Sequence, residues 1–239
     1  MDLDGVFLDM YGTLTTGDRA TVEAVCAAVI RATGVRRTAG DLAVTWGERF
    51  FAAMDTAGAD GFETLLQIET RTLRETMAEL GVALEPDRYA ARLTDYWRDP
   101  PLQPEVPEFL RVFRHPICIV SNADRIDLES ALTRHAIRVA GVVTSDDVRS
   151  YKPNRRIFEA ALELTGWRRD RVLHVGDSLH SDVGGARRAG LRSGWVNRAH
   201  RIHDIGTEQP DYEFADLMDL HALLARPHDR TVGGCSGSY

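Results

Sequence analysis

Five short apolar runs punctuate the chain, each ending against polar residues. Val6-Phe7-Leu8 precedes Asp9, Pro116-Ile117-Cys118-Ile119-Val120 precedes Ser121-Asn122, and Ala140-Gly141-Val142-Val143 precedes Thr144-Ser145-Asp146. Val172-Leu173-His174-Val175 precedes Gly176-Asp177-Ser178, and Gly194-Trp195-Val196 precedes Asn197. Runs of this kind, alternating with helical patterns after residue 100, predict a parallel sheet with crossover helices. Such sheets bind ligands at the carboxyl ends of their strands, so the polar clusters are expected along one edge. Between the first and second runs the period changes. Residues 18–34, 40–56, 62–81 and 87–98 space apolar positions three and four apart, which predicts four helices. Asp18 and Thr21 are candidate N-caps, and Gly34 and Gly81 are candidate stops. An insertion of roughly 80 residues is too long for a crossover and reads as a separate helical lid. Arg98-Asp99-Pro100-Pro101 reads as the return hinge. The expected organisation is a Rossmann-like α/β core from 1–16 with 99–226, a helical cap from 17–98, and a frayed glycine-rich tail from 227–239.

Composition narrows the function classes. The chain is 44% apolar and 27% charged, in the globular range. No apolar run approaches the ~18 residues of a membrane span, and no cationic stretch precedes an apolar one, so neither membrane insertion nor secretion is expected. Cys26, Cys118 and Cys235 lie far apart, without metal-type spacing. Cys26 and Cys118 read as buried thiols and fit a reducing cytoplasm. A net charge of -7 argues against a nucleic-acid partner. Of 29 Lys plus Arg residues, only Lys152 is lysine, which marks a position where a broad guanidinium would not serve.

Each polar cluster carries a chemical reading beside a plain one. Asp9, closing a strand before Gly12-Thr13, offers a carboxylate nucleophile or a turn residue. Asp177 and Asp182 offer hard oxygen ligands for Mg²⁺, or a helix cap and a solvated first-turn residue. Lys152 and Ser121 supply charge and a hydroxyl for phosphoryl transfer, although a lysine before Pro153 also suits a helix start. Asp2-Leu3-Asp4 spells a similar motif, but no strand precedes it to present Asp2.

Taken in order, Asp9-Met10-Tyr11-Gly12-Thr13-Leu14, Ser121-Asn122, Lys152-Pro153 and Gly176-Asp177-Ser178-Leu179-His180-Ser181-Asp182 resemble the haloacid dehalogenase-like hydrolases over nearly the whole chain. The resemblance implies catalytic roles for Asp9, Tyr11, Thr13, Ser121, Asn122, Lys152 and Asp182. It also implies Mg²⁺ held by Asp9, the Tyr11 backbone carbonyl and Asp177. Thr13 is expected to steady the loop, and Asp182 to orient Lys152 or a metal-bound water.

One position departs from the family's phosphatases, which usually carry an aspartate two residues after the nucleophile. Here it is Tyr11. The missing acid–base step contributes roughly 10²–10⁴-fold. Tyrosine there also resembles the L-2-haloacid dehalogenases, in which the aspartate attacks carbon without a metal. Those enzymes resemble Ser-Ser-Asn where this chain has Gly176-Asp177-Ser178, and they place arginine where this chain has Gly47; Arg49 lies two residues on. The expectation is a Mg²⁺-dependent phosphatase acting on a small phosphate ester, as a monomer or homodimer. The alternatives are a dehalogenase and a catalytically weak metal-binding regulator. Trp46, Phe50, Phe51, Met54, Tyr96 and Trp97 either read the substrate or pack the cap. His180 faces pocket or solvent, and His174 reads as a satisfied core histidine.

Overall fold

Largely β-branched and aliphatic runs, interrupted in β4 by His174, form the buried centre of a sheet. The computed structural model describes residues 2–57, 61–203 and 206–225. Its strands are β1 (Gly5–Leu8), β2 (Ile117–Ser121), β3 (Gly141–Thr144), β4 (Val172–Gly176), β5 (Arg192–Val196) and β6 (Tyr212–Phe214). They pair in the order β3-β2-β1-β4-β5-β6, all in parallel. β1 sits between β2 and β4, with Leu8 opposite Ile119 on one side and Val175 on the other. The order reverses at β1, and its carboxyl end is the crevice where doubly wound sheets bind ligands.

Strand residues alternate faces, and each face has its own helices. Val6, Leu8, Ile119, Leu173 and Val175 pack against α5 (Val106–Val112), α6 (Arg125–Arg134) and the C-terminal helix Leu217–Ala225. Phe7, Cys118, Val120 and Val143 face Ile157, Phe158 and Ala161 of Arg155–Thr165 on the other side. Cys26 and Cys118 are free and buried, and burial pushes both thiols up to about 12. The proposed tail at 227–239 and Cys235 lie outside the described residues.

The insertion forms α1 (Asp18–Thr33), α2 (Ala39–Thr56), α3 (Leu65–Glu79) and α4 (Asp87–Arg98), which share a hydrophobic cluster separate from the sheet's. The chain leaves the sheet at Gly17, whose φ of 97° is open to glycine at little cost, and returns at Pro101, whose carbonyl accepts from the Thr16 N–H at 2.8 Å. α3 starts at Leu65 rather than residue 62, because Thr64 and Gln67 form a capping box that fixes the first turn. β6 has no apolar run to announce it: Tyr212-Glu213-Phe214 is three residues long and only Phe214 is buried. Among the described residues no helix is long and apolar enough to cross a membrane.

Candidate active site

Asp9 leaves β1 with its N–H donating to the Val175 carbonyl at 3.0 Å, and the residue is 5% exposed. Its Oδ1 accepts from Ser121 Oγ at 2.9 Å and from Lys152 Nζ at 2.7 Å. Lys152, 2% exposed, also donates to Asp182 Oδ1 at 2.6 Å and to the Val120 carbonyl at 3.0 Å. An ammonium has three N–H bonds, and here three acceptors surround one nitrogen. That accounts for lysine in a chain otherwise built with arginine. Asn122 clips the lysine backbone: its Oδ1 accepts from the Lys152 N–H at 2.7 Å, and its Nδ2 donates to the Lys152 carbonyl at 3.2 Å.

Asp182 lies beneath the lysine. Its Oδ1 also accepts from His174 Nε2 at 2.9 Å, and its Oδ2 accepts from the Ser178 N–H at 3.0 Å. Burial opposes its charge, but Lys152 and the His174 hydrogen bond hold it well below the usual carboxylate range. Burial lowers His174 below the ordinary histidine value, and among the described residues its Nδ1 has no hydrogen-bond partner. It is therefore half-satisfied rather than fully satisfied, and its bonded nitrogen supports the Asp182–Lys152 pair. Gly176 makes room for this carboxylate, since a Cβ there would overlap Asp182 Cγ.

Asp177 is placed differently. Its carboxylate accepts from the Thr13 hydroxyl at 3.4 Å, and among the described residues no lysine or arginine forms an ion pair with it, although the Lys152 and Arg201 charges act on it from further away. It lies against Gly12, whose φ is 90° and whose added Cβ would stand 2.7 Å from Asp177 Oδ2. Asp9, Asp177 and Asp182 each offer an oxygen within 4.8 Å of the others. Burial, with the charges of Asp9 and Asp182, pushes Asp177 up to about 7, and burial likewise raises Asp9 despite Lys152. Lys152 resists its own burial because both carboxylates hold it above the ordinary lysine range. Three converging carboxylates with one ammonium leave a negative excess that a hard divalent cation fits. Asp9 and Asp177 would offer it carboxylate oxygens, and no hydrogen bond among the described residues ends on the Tyr11 carbonyl.

The Tyr11 side chain turns away from this cluster. Its hydroxyl donates to the Trp97 carbonyl at 2.7 Å, and burial pushes the phenol far above its ordinary range. Trp46, Met54, Tyr96 and Trp97 are cap core, with Trp46 Nε1 donating to Thr72 at 3.0 Å; Phe50 is partly covered and Phe51 exposed. Arg49 pairs with Glu75 and Glu79 on α3. His180 meets Asp55 at the end of α2 at 3.0 Å. Asp2 pairs with Arg171 at 2.6 Å, far from the cluster. The sequence reading missed Arg198, Arg201 and Trp195, whose donors hold the carbonyls of Gly12, Thr13 and Asp177. Spacing gives no signal for these contacts, which go to backbone far away in the chain.

A family model described as haloacid dehalogenase-like hydrolase matches residues 3–190. Pyrimidine 5'-nucleotidase YjjG of Escherichia coli (strain K12) is 41% identical over 86 residues, 36% of this chain and only 38% of that protein. The (S)-2-haloacid dehalogenase of Pseudomonas sp. (strain YL) is 25% identical over 231 residues, 93% of this chain and 94% of that protein. Among solved structures, the L-2-haloacid dehalogenase RSc1362 superposes with a TM-score of 0.77 at 22% identity, over 95% of this chain and 100% of that one.

Proposed function

This chain belongs to the haloacid dehalogenase-like hydrolases, and from that premise we propose that it is a Mg²⁺-dependent phosphatase acting on a small phosphate ester. Asp177 carries the proposal: a buried carboxylate beside Asp9, with no ion pair among the described residues, suits a cation site, whereas carbon–halogen cleavage needs none. Mg²⁺ held by Asp9, the Tyr11 carbonyl and Asp177 would neutralise charge on the phosphoryl oxygens.

Asp9 attacks phosphorus through a carboxylate oxygen, forming an Asp9–phosphate bond as the bond to the leaving oxygen breaks. Ser121 Oγ and Lys152 Nζ, which hold Asp9 Oδ1 in the resting site, pass to the phosphoryl oxygens. Asp182 and Asn122 keep the lysine in place from its side chain and its backbone. Water then attacks phosphorus as the Asp9–phosphate bond breaks, which restores the Asp9 carboxylate, and the water's protons leave with the released phosphate and the solvent. The Tyr11 hydroxyl is committed to the Trp97 carbonyl, so position 11 offers the leaving oxygen no proton. Preferred substrates therefore have weakly basic leaving groups, such as acyl phosphates, anhydrides or aryl esters.

A second reading, 2-haloacid dehalogenase, is favoured by the near full-length likeness to the Pseudomonas enzyme and by tyrosine at position 11. Against it stands Arg49, bound to Glu75 and Glu79 instead of being available to a substrate carboxylate. The test is purified protein with phosphate esters and 2-haloacids, each with Mg²⁺ or EDTA. Phosphate release that stops with EDTA and disappears in Asp9→Asn is expected. Halide release indifferent to EDTA would establish the second reading.

A further inference from the structure

The loop after β5 reaches both halves of the cation site. Asn197 closes it into a turn: its Nδ2 donates to the Arg201 carbonyl at 2.9 Å, and its Oδ1 accepts from the Arg201 N–H at 2.8 Å. The same Nδ2 donates to Glu213 on β6 at 2.7 Å, anchoring the turn to the sheet edge. From here Arg198 extends under the nucleophile loop. Its Nη1 donates to the Gly12 carbonyl at 3.1 Å and its Nη2 to the Thr13 carbonyl at 2.8 Å, while Nε donates to Glu105 at 3.0 Å. Three residues on, Arg201 Nη2 donates to the Asp177 carbonyl at 2.8 Å. Trp195 Nε1 donates to that same oxygen at 3.0 Å, and the Arg201 guanidinium lies 5.4 Å from the Trp195 ring centroid.

One turn thus grips two loops that are remote in sequence and whose carboxylates converge. Gly12 is the residue in most need of restraint. At φ 90° it occupies a conformation that glycine enters and leaves freely, and its backbone is pressed against the Asp177 carboxylate. Two charge-assisted bonds to the Gly12 and Thr13 carbonyls fix the peptide planes next to the Tyr11 carbonyl. The Arg201 bond fixes the peptide from which the Asp177 side chain springs.

We propose that Arg198 and Arg201 are positioning residues that set the gap between the nucleophile loop and the Asp177 loop, and so tune the affinity of the cation site between them. The proposal rests on the Mg²⁺-dependent reading above. Among the described residues the Asp9 carboxylate is bonded by Ser121 and Lys152 and not by either arginine. They grip three backbone carbonyls, and the Arg201 charge also acts on the Asp177 carboxylate, as with outer partners that orient metal ligands, whose loss typically costs 10–100-fold in metal affinity.

The test is Mg²⁺ titration of the parent, Arg198→Met, Arg198→Lys and Arg201→Met. It is read by thermal midpoint without substrate and by phosphate release with it. Arg198→Met is expected to need about tenfold more Mg²⁺ in both readouts, with the ester KM changed less than about threefold. Arg198→Lys, which keeps the charge but not the fork, is expected to recover part of the shift. Arg187→Met removes exposed pairs with Glu208 and Asp211 and is expected to shift neither readout. A parent that responds to Mg²⁺, with folded Arg198→Met and Arg201→Met responding identically, overturns the clamp alone. A parent with no Mg²⁺ response overturns both the clamp and the metal-dependent reading. If Arg198→Met does not fold, Arg198→Lys and Arg201→Met decide by the same criterion.

Discussion

A guanidinium at position 152 would spread five N–H groups over a plane where the site offers three acceptors around one nitrogen. Lys152→Arg is therefore expected to lower kcat by at least about 10²-fold, in the range seen when one transition-state donor is lost. Lys152→Met leaves Asp9 and Asp182 buried without their cation. It is expected to destabilise the fold by about 3–5 kcal/mol, measured by chemical denaturation. Tyr11 gives a gain-of-function test. Tyr11→Asp restores a carboxyl at the vacant acid position and removes the bond to the Trp97 carbonyl. Turnover of alkyl phosphates should rise relative to aryl phosphates, by up to about 10²-fold in the ratio, while an unchanged ratio would show that position 11 has no access to the leaving oxygen.

At the scale of elements, one of the contacts by which the cap meets the core lies at the start of α3. The backbone N–H groups of Leu65 and Leu66 donate to the Asp124 carboxylate at 2.7 and 3.2 Å, so a core residue supplies what a helix N-terminus lacks. Asp124→Ala is expected to cost about 1–2 kcal/mol and to raise the ester KM more than it lowers kcat, because the cap loses its seat over the site. Further along α3, Glu69 is 7% exposed, and burial with the Asp18 charge pushes it well above the ordinary carboxylate range. A carboxyl raised in the folded state contributes full stability below its unfolded value and loses it as pH rises toward the folded value. Glu69→Gln is therefore expected to raise the melting temperature at pH 8 and to change it little at pH 4. Equal shifts at both pH values would remove titration as the cause.

For the whole molecule, charge balance ties metal to pH. Asp177 is pushed up to about 7 by burial and its acidic neighbours, so below that value a proton competes with a cation for the same oxygens. Half-saturating Mg²⁺ should rise about tenfold per pH unit below 7 and level off above it. The Mg²⁺-induced gain in thermal midpoint should correspondingly be larger at pH 8 than at pH 6. A flat response across that range would mean that Asp177 is not a ligand.

The sequence by itself determined five of the six strands and the residue types at their carboxyl ends. Apolar runs ending in Asp9, Ser121 and Gly176-Asp177 carry their meaning locally, because a strand buried on both faces must be apolar and its last residues must leave the core. The lone lysine was visible as a count before any contact was known. Tertiary structure decided the rest. Tyr11 became a strap to the Trp97 carbonyl, His174 a partner of Asp182, and Arg198 and Arg201 a brace on Gly12, Thr13 and Asp177. Those roles end on carbonyls and carboxylates from distant segments. Every residue has a backbone carbonyl, so no residue type along the chain marks which one will be gripped until the fold brings it within reach.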